Sequence, residues 1–208
     1  MMRLYAVLAV AAVSGLIGGS ALYVHWMRAG DIYADCRAGQ VAGDDIGGPF
    51  TLVDQTGVTV TETEVITGPT LIYFGYTFCP DVCPLDAARN AEAVDILDGM
   101  GIAAKAVFIT FDPKRDTREV LSEFTRNLDP RMVGLTGSEE QVRLAAKAYR
   151  AFYQVVDAKE EYYFLDHSTF TYLMKPRPDG KPEFMEFYQH DVPADAMAKS
   201  VACFAARG

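Results

Sequence analysis

Residues 70–84 read TLIYFGYTFCPDVCP, and this stretch decides the fold of the chain. Its first five residues form a continuous, mainly apolar run that ends before Gly75. Such a run is typical of a strand that is buried on both faces of a sheet. A short turn with two cysteines follows. Pro84 favours the first turn of a helix, where the N–H group that proline lacks has no intrahelical partner in any case. We therefore predict a buried strand, a cysteine-bearing turn and a helix that begins at Pro84.

The sequence on both sides of this stretch alternates between predicted strands and predicted helices. Further strands are predicted at 49–53, 57–60, 104–111, 154–156, 162–165 and 169–174, and helices at 86–97, 117–128, 138–152 and 193–206. Asp116 with Glu119, and Ser138 with Gln141, have the spacing of helix-capping pairs. The alternation predicts an α/β fold in which helices flank a central sheet.

The composition excludes several classes of protein. The chain has 208 residues, half of them hydrophobic, and a formal net charge of −9. A chain of this kind can bury the core of an ordinary domain, so intrinsic disorder is excluded. The negative charge argues against nucleic-acid binding, which needs clustered Lys and Arg. Four cysteines are too few for a disulfide-framework mini-protein, so each requires its own explanation.

The N-terminal region predicts a membrane anchor. Residues 4–24 contain no charged side chain, and a helix of this length spans the roughly 30 Å hydrocarbon core of a bilayer. We predict an anchor over residues 1–28, a Gly-, Ala- and Asp-rich linker over 29–45, and a folded domain over 46–208. A cleaved signal peptide is the alternative, although the apolar run is longer than the usual signal-peptide core of about 7–15 residues.

Two cysteines and one histidine are the candidate reactive residues. Cys79 and Cys83 lie at the predicted start of a helix, where free N–H groups and the helix dipole stabilise thiolates. Two thiolates at this spacing can either form a disulfide or bind a soft metal ion. The third candidate is His167, which lies between two predicted strands. Histidine is scarce in this chain, since only His167 and His190 lie outside the membrane-proximal region. Two sulfurs and one imidazole suit copper, particularly Cu(I), better than Mg or Ca. Zinc with a bound water is also chemically allowed.

Three blocks of the sequence resemble the signature motifs of the Sco/SenC family. They are GYTFCPDVCP at residues 75–84, DPKRDT at 112–117 and DHS at 166–168. The resemblance covers roughly residues 46–205. It implies a thioredoxin-like fold with a single N-terminal transmembrane helix. It also implies that the domain lies on the outer side of the membrane and serves the assembly of the CuA centre of cytochrome c oxidase.

On this resemblance we expect Cys79, Cys83 and His167 to bind copper, as Cu(I) or Cu(II). The expected function is that of a metallochaperone, not an enzyme. Its partners are then the CuA-bearing subunit II of cytochrome c oxidase and an upstream copper donor. One alternative is a membrane-anchored thiol-disulfide oxidoreductase, in which Cys79 and Cys83 form the redox pair that reduces the CuA-site cysteines or handles peroxide. The other is an anchored redox sensor or scaffold with vestigial copper affinity.

The expected location is the inner (cytoplasmic) membrane with the domain in the periplasm, or the intermembrane space in a mitochondrion. Because residues 1–30 contain two Arg and no acidic residue, the rest of the chain carries 17 basic and 28 acidic residues, a net charge of −11. An acidic domain is repelled by the anionic cytoplasmic leaflet, which favours the outer side of the membrane.

Two further acidic residues and the two remaining cysteines also have expected roles. Asp166 and Asp112 are candidates to orient His167 or to tune the thiolates, and turn formation and helix capping are their other roles. Cys36 and Cys203 belong to no motif. In an oxidising compartment we expect these two to pair. The alternatives are free buried thiols or an intermolecular link from Cys36.

Overall fold

The computed structural model of the chain describes residues 2–29, 32–33, 35–37, 46–156 and 163–207. Its elements in chain order are α1 (Met2–Ala29), β1 (Thr51–Asp54), β2 (Thr59–Thr61), α2 (Glu62–Val65), β3 (Thr70–Gly75), α3 (Val82–Gly99), β4 (Lys105–Thr110), α4 (Arg118–Leu128), β5 (Val133–Thr136), α5 (Glu139–Ala148), β6 (Tyr153–Val156), β7 (Phe164–His167), β8 (Thr171–Pro176), β9 (Pro182–Tyr188) and α6 (Ala194–Ala206). Most of the predicted linker, residues 38–45, lies outside the described residues. The alternation of helices and strands confirms the predicted α/β fold.

Seven strands form one mixed sheet in the order β2-β1-β5-β4-β3-β8-β9. Strands β3, β4 and β5 are parallel, and antiparallel strands are added on both sides of them. All six residues of β3 are buried, which confirms the strand predicted from the apolar run. Parallel strands need crossover connections, and α3 and α4 provide them between β3 and β4 and between β4 and β5.

The helices cover the sheet and bring the start of α3 to the end of β3. Helix α3 packs against β3, β4 and α6, while α4 packs against β5 and α5 against β1. The largest fully buried side chains include Tyr73, Phe74 and Phe108 of the central strands. Burial of such rings is the main favourable contribution to folding. The turn between β3 and α3 is therefore positioned by a rigid core.

Two strands of the sheet, β5 and β9, were not predicted. Gly134 weakens the strand pattern of β5, yet a Cβ atom at this position would lie 3.0 Å from the methyl group of Thr125 in α4. Glycine is required there by the close approach of a helix, which cannot be seen in the local sequence. Strand β9 begins with Pro182 and lies at the edge of the sheet, where proline is tolerated because one edge has no strand partner.

Helix α5 ends at Ala148, four residues before its predicted end. Arg150 has a positive φ of 52°, so the chain leaves the helix through a left-handed residue. Glycine usually occupies such a position. Because residue 150 is an arginine, the sequence contains no signal that the helix ends here. The predicted capping pair Ser138 and Gln141 is confirmed, because each side chain hydrogen-bonds to the backbone N–H of the other residue.

The hairpin of β6 and β7 forms a separate two-stranded sheet. The strands predicted at 162–165 and 169–174 left His167 in the loop between them, and this was wrong: it is the last residue of β7 and pairs with Tyr153. The predicted strand at 162–165 is observed at Phe164–His167, and Tyr162 lies outside the described residues. Because side chains alternate along a strand, Leu165 and His167 lie on the same face of the hairpin.

The N-terminal region consists of α1 and a segment that packs against α6. Residues 4–24 of α1 have a mean hydropathy of 2.0 and are long and apolar enough to cross a membrane, a property shared by signal sequences. Cys36 and Cys203 form a disulfide with a Cα–Cα distance of 5.4 Å. The ring of Tyr33 packs at 5.4 Å from that of Phe204. Part of the predicted linker is thus attached to the last helix.

Candidate metal centre

The two central cysteines lie where β3 leads into α3. Helix α3 begins at Val82, two residues before the predicted start, so Cys83 lies in its first turn and Cys79 in the preceding turn. Both cysteines are buried and neither is in a disulfide. The backbone N–H of Cys83 donates to Sγ of Cys79 at 3.4 Å. A Cβ atom at Gly75 would lie 3.0 Å from Sγ of Cys83, so glycine leaves room for this sulfur against β3.

The turn before Cys79 is held by Asp116. Its carboxylate accepts hydrogen bonds from the backbone N–H of Thr77 at 3.0 Å, from the Thr77 hydroxyl at 2.6 Å and from the Thr110 hydroxyl at 2.6 Å. Asp116 is fully buried, and this burial raises the pKa of its carboxyl group. The prediction that Asp116 caps α4 was wrong, because Thr117 is the N-cap and accepts from the N–H of Val120.

His167 extends from the hairpin toward the cysteines. Its Nε2 lies 3.2 Å from Sγ of Cys83, and its Nδ1 lies 2.9 Å from the carbonyl oxygen of Ser168. Since a carbonyl oxygen only accepts, we assign the proton to Nδ1, which leaves the Nε2 lone pair facing the sulfur. The imidazole packs at 5.7 Å from the Tyr76 ring and at 5.5 Å from the Phe111 ring. The ring is therefore fixed in orientation.

The three candidate ligand atoms converge on one point. Sγ of Cys79, Sγ of Cys83 and a ring nitrogen of His167 all lie within 4.8 Å of one another. The pair formed by Sγ of Cys83 and Nε2 of His167 is only 3.2 Å apart, so the three atoms are close enough together for one ion to contact all of them. Two thiolates and an imidazole form a soft donor set. The residues present therefore fit a soft, low-coordinate metal ion.

The two thiols of the site are not equivalent. A hydrogen bond from the Cys83 thiol lowers the pKa of Cys79, and the helix-start N–H groups contribute to this effect. The same interaction with Cys79, together with burial, raises the pKa of Cys83. Both directions favour a single proton shared by the reduced pair, with more thiolate character at Cys79 than at Cys83. Metal binding must displace that proton.

The two predicted tuning residues, Asp166 and Asp112, lie in different surroundings. Asp166 is exposed, and the alternation of β7 directs it away from the face that carries His167. Asp112 is buried, contacts Arg115 and accepts a 2.8 Å hydrogen bond from the Tyr163 hydroxyl. An influence of either carboxylate on His167 stays a prediction.

Two charged residues next to the site, Asp86 and Arg115, were not predicted from the sequence. Asp86 lies one turn after Cys83, is buried, and forms a 3.1 Å ion pair with Arg89. Charged residues at this spacing usually lie on a solvated helix face, so the pattern contained no signal of burial. The guanidinium of Arg115 lies 3.7 Å from the centroid of the Tyr163 ring. Its position in the DPKRDT block was the available signal.

Comparisons with known proteins agree with this fold. A model of the SCO1/SenC family matches residues 38–206. Protein SenC of Rhodobacter capsulatus is 48% identical over 200 residues, which cover 96% of this chain and 89% of that protein. The crystal structure of Arabidopsis thaliana ScoI with copper bound has a TM-score of 0.70 at 35% identity, over 76% of this chain and 98% of that one.

A second solved relative is Bradyrhizobium japonicum ScoI with copper bound, with a TM-score of 0.66 at 33% identity, again over 76% of this chain and 98% of that one. The mixed sheet flanked by helices is thus the thioredoxin-like fold of these structures, as the sequence resemblance implied. Because the family model matches most of the chain and a relative of nearly the same extent shares almost half its residues, the chain belongs to the SCO1/SenC family.

Proposed function

We propose that the reduced protein binds copper through Cys79, Cys83 and His167 and delivers it for assembly of the CuA centre of cytochrome c oxidase. The observation that carries this proposal is the convergence of two sulfurs and one imidazole nitrogen within 4.8 Å. Such ligands favour copper over hard cations. The copper-bound ScoI structures of Arabidopsis thaliana and Bradyrhizobium japonicum support the choice of metal.

The ligand set suits transfer of copper as cargo. Because few ligands hold the ion, incoming thiolates of the CuA-bearing subunit II can displace them one at a time, and an upstream donor can load the site by the reverse exchange. Cys79 is the more exposed of the two sulfur ligands, at 8% against 0% for Cys83, which favours it as the first ligand to be exchanged. Thiol-disulfide exchange with a second disulfide, which takes up the two electrons and is released as its two reduced sulfurs, would join Cys79 to Cys83 and abolish the site.

The proposed location is the outer face of the inner membrane, or the equivalent mitochondrial face. Helix α1 is apolar over residues 4–24, which supports an anchor. The Cys36–Cys203 disulfide is typical of an oxidising compartment. We retain the boundaries 1–28 for the anchor, 29–45 for the linker and 46–208 for the domain, with the addition that Cys36 attaches the linker to α6.

The proposal is tested by the copper stoichiometry of the purified, reduced protein. We expect one copper ion per chain, and we expect Cys79→Ser, Cys83→Ser and His167→Ala each to weaken binding and to change the Cu(II) absorption spectrum. His190→Ala is the matched control, because His190 is exposed. If His167→Ala binds copper with the affinity and spectrum of the wild type, the assigned ligand set is wrong.

A second candidate function is reduction of disulfides in the partner protein. The unpaired cysteines and the lowered pKa of Cys79 favour it, because a thiolate is the attacking species in thiol-disulfide exchange. The two functions are separated by the CuA content of oxidase in a strain that lacks this gene and by turnover of metal-free protein with insulin. Strong turnover together with normal CuA would favour the reductase.

A further inference from the structure

The ligands of the proposed site come from two parts of the fold that share no sheet. Cys79 and Cys83 belong to the β3–α3 connection, which the seven-stranded sheet holds in place. His167 belongs to the β6–β7 hairpin, which is a separate two-stranded sheet. An isolated hairpin is at most marginally stable in water. Side-chain contacts must therefore hold His167 within reach of the sulfurs.

Arg115 contacts both parts at once. Its guanidinium lies 4.9 Å from the ring centroid of Phe78, the residue before Cys79, and 3.7 Å from that of Tyr163, the residue before β7. Its NH1 group also donates a 2.8 Å hydrogen bond to the carbonyl oxygen of Tyr163. The guanidinium is thus placed between the cysteine turn and the hairpin, where the two rings enclose it.

Asp112 fixes the orientation of this guanidinium. One carboxylate oxygen contacts Nε of Arg115, and the other accepts a 2.8 Å hydrogen bond from the Tyr163 hydroxyl. The Asp112 and Arg115 side chains are 3% and 16% exposed, so these interactions are stronger than at the surface. A planar guanidinium can stack on rings and hydrogen-bond at its edge simultaneously, which an ammonium group cannot do.

We propose that Arg115 is a positioning residue that holds the β6–β7 hairpin against the cysteine turn and so keeps Nε2 of His167 at ligand distance. The proposal rests on the proposed copper site. Arg115 itself does not touch the metal; it acts through the docking of the hairpin. The hydrogen bond from the Leu165 N–H to the Tyr76 hydroxyl, at 3.3 Å, is a second and longer contact between the same two parts.

The first measurement is amide hydrogen exchange of the metal-free, reduced full-length protein. We expect Arg115→Ala to accelerate exchange of the Leu165 amide by about tenfold or more, because a docked segment that loses its contacts opens locally. Exchange of the Ile72 amide, in the central strand β3, is expected to remain unchanged. Lys114→Ala is the matched control, since it removes the adjacent positive charge from a side chain that is 67% exposed.

The second measurement is copper affinity, determined by competition with a Cu(I) chelator. Groups that orient a ligand typically change metal affinity by about 10- to 100-fold, and we expect Arg115→Ala to weaken binding by such a factor. We expect the double variant Arg115→Ala/His167→Ala to bind no more weakly than His167→Ala alone, because both changes remove the same ligand. Tyr163→Leu, which removes the stacked ring, is expected to act in the same direction as Arg115→Ala.

Each failure has a separate meaning. If His167→Ala leaves copper affinity unchanged, the proposed ligand set fails. If His167→Ala weakens binding but Arg115→Ala and Tyr163→Leu do not, the role of Arg115 is wrong while the copper site stands. The role of Arg115 is also wrong if the losses of copper affinity are additive in Arg115→Ala/His167→Ala. It is equally wrong if Arg115→Ala and Tyr163→Leu each accelerate amide exchange at Leu165 and at Ile72 by the same factor. The last result would make it a residue of general stability.

Discussion

The two cysteine pairs of this protein differ in what surrounds their sulfurs. Cys36 and Cys203 are 167 residues apart and form a disulfide between the N-terminal segment and α6. Cys79 and Cys83 are four residues apart and remain thiols beside the imidazole of His167. The first pair is surrounded by backbone and ring contacts, and the second by a helix start and the imidazole nitrogen of His167. Surroundings, more than spacing, separate a structural pair from a reactive one.

The reactive pair is also internally unequal, whereas the structural pair has lost its ionisable groups. The interaction between the two sulfurs lowers the pKa of Cys79 and raises the pKa of Cys83, which favours the thiolate form at Cys79. Under the proposed function, this inequality makes Cys79 the first of the two sulfurs to react, both in metal transfer and in thiol-disulfide exchange. The contrast between the two pairs can be broken by substitution of the sulfurs and by chemical labelling.

Removal of the structural disulfide should cost the most stability. For the double substitution Cys36→Ser/Cys203→Ser we expect the free energy of unfolding to fall by up to about 5 kcal/mol, because a long loop is no longer closed in the unfolded chain. Urea unfolding of the oxidised wild type and of the variant measures this loss. Copper stoichiometry of the folded variant should remain that of the wild type. Loss of copper binding without loss of stability would contradict the assigned roles.

Alkylation should distinguish the two reactive thiols. At pH 6 we expect iodoacetamide to modify Cys79 about a hundredfold faster than Cys83, because the thiolate reacts and the pKa of Cys79 is lowered while that of Cys83 is raised. Mass spectrometry of the metal-free, reduced protein locates the label. As the pH falls through the pKa of Cys79 its rate should decline. Equal rates at both cysteines would refute the unequal sharing of the proton.

The sequence predicted the cysteine side of the site well because its signals are local. The apolar run of β3, the turn and Pro84 are contiguous, and each indicates its own conformation from neighbouring residues. Helix α3 begins two residues earlier than predicted, at Val82. The identity of the candidate ligands depended on residue types and on a resemblance, both of which can be read without a structure.

The histidine side was less predictable because it depends on contacts distant in the chain. The strand that contains His167 exists through pairing with β6, and its face is set by that register. The burial of Asp116 and the partial burial of Arg115 result from packing of the loop after β4 against the cysteine turn and the hairpin. A charged residue in a loop motif is usually solvated, so these roles require tertiary structure to be recognised.

Loss of the carboxylate that holds the cysteine turn should have an intermediate effect. We expect Asp116→Ala to lower the free energy of unfolding by about 2 kcal/mol, because the N–H of Thr77 and the Thr110 hydroxyl lose their acceptor in a buried site. Thermal and urea unfolding provide the measurement. Glu119→Gln is the control, since the sequence had paired Glu119 with Asp116 as a helix cap. Equal losses for both variants would restore the capping role.

The hydrogen bonds beside the disulfide contribute less to stability than the disulfide itself. The Ser200 hydroxyl donates to the Cys36 carbonyl oxygen at 2.9 Å and accepts from the Tyr188 hydroxyl at 3.0 Å, in a buried position. We expect Ser200→Ala to lower the free energy of unfolding by about 1 kcal/mol, because two buried polar groups lose a partner. Lys199→Ala, on the exposed face of α6, is the control.

The same substitution can show whether the disulfide or the hydrogen bond places the N-terminal segment. If the disulfide holds Cys36 against α6, the Ser200→Ala loss should become smaller in the Cys36→Ser/Cys203→Ser background, where the segment is free to leave and to expose its carbonyl group to water. An undiminished loss in that background would mean that the segment docks without the cross-link. The disulfide would then stabilise the fold only by lowering the conformational entropy of the unfolded chain.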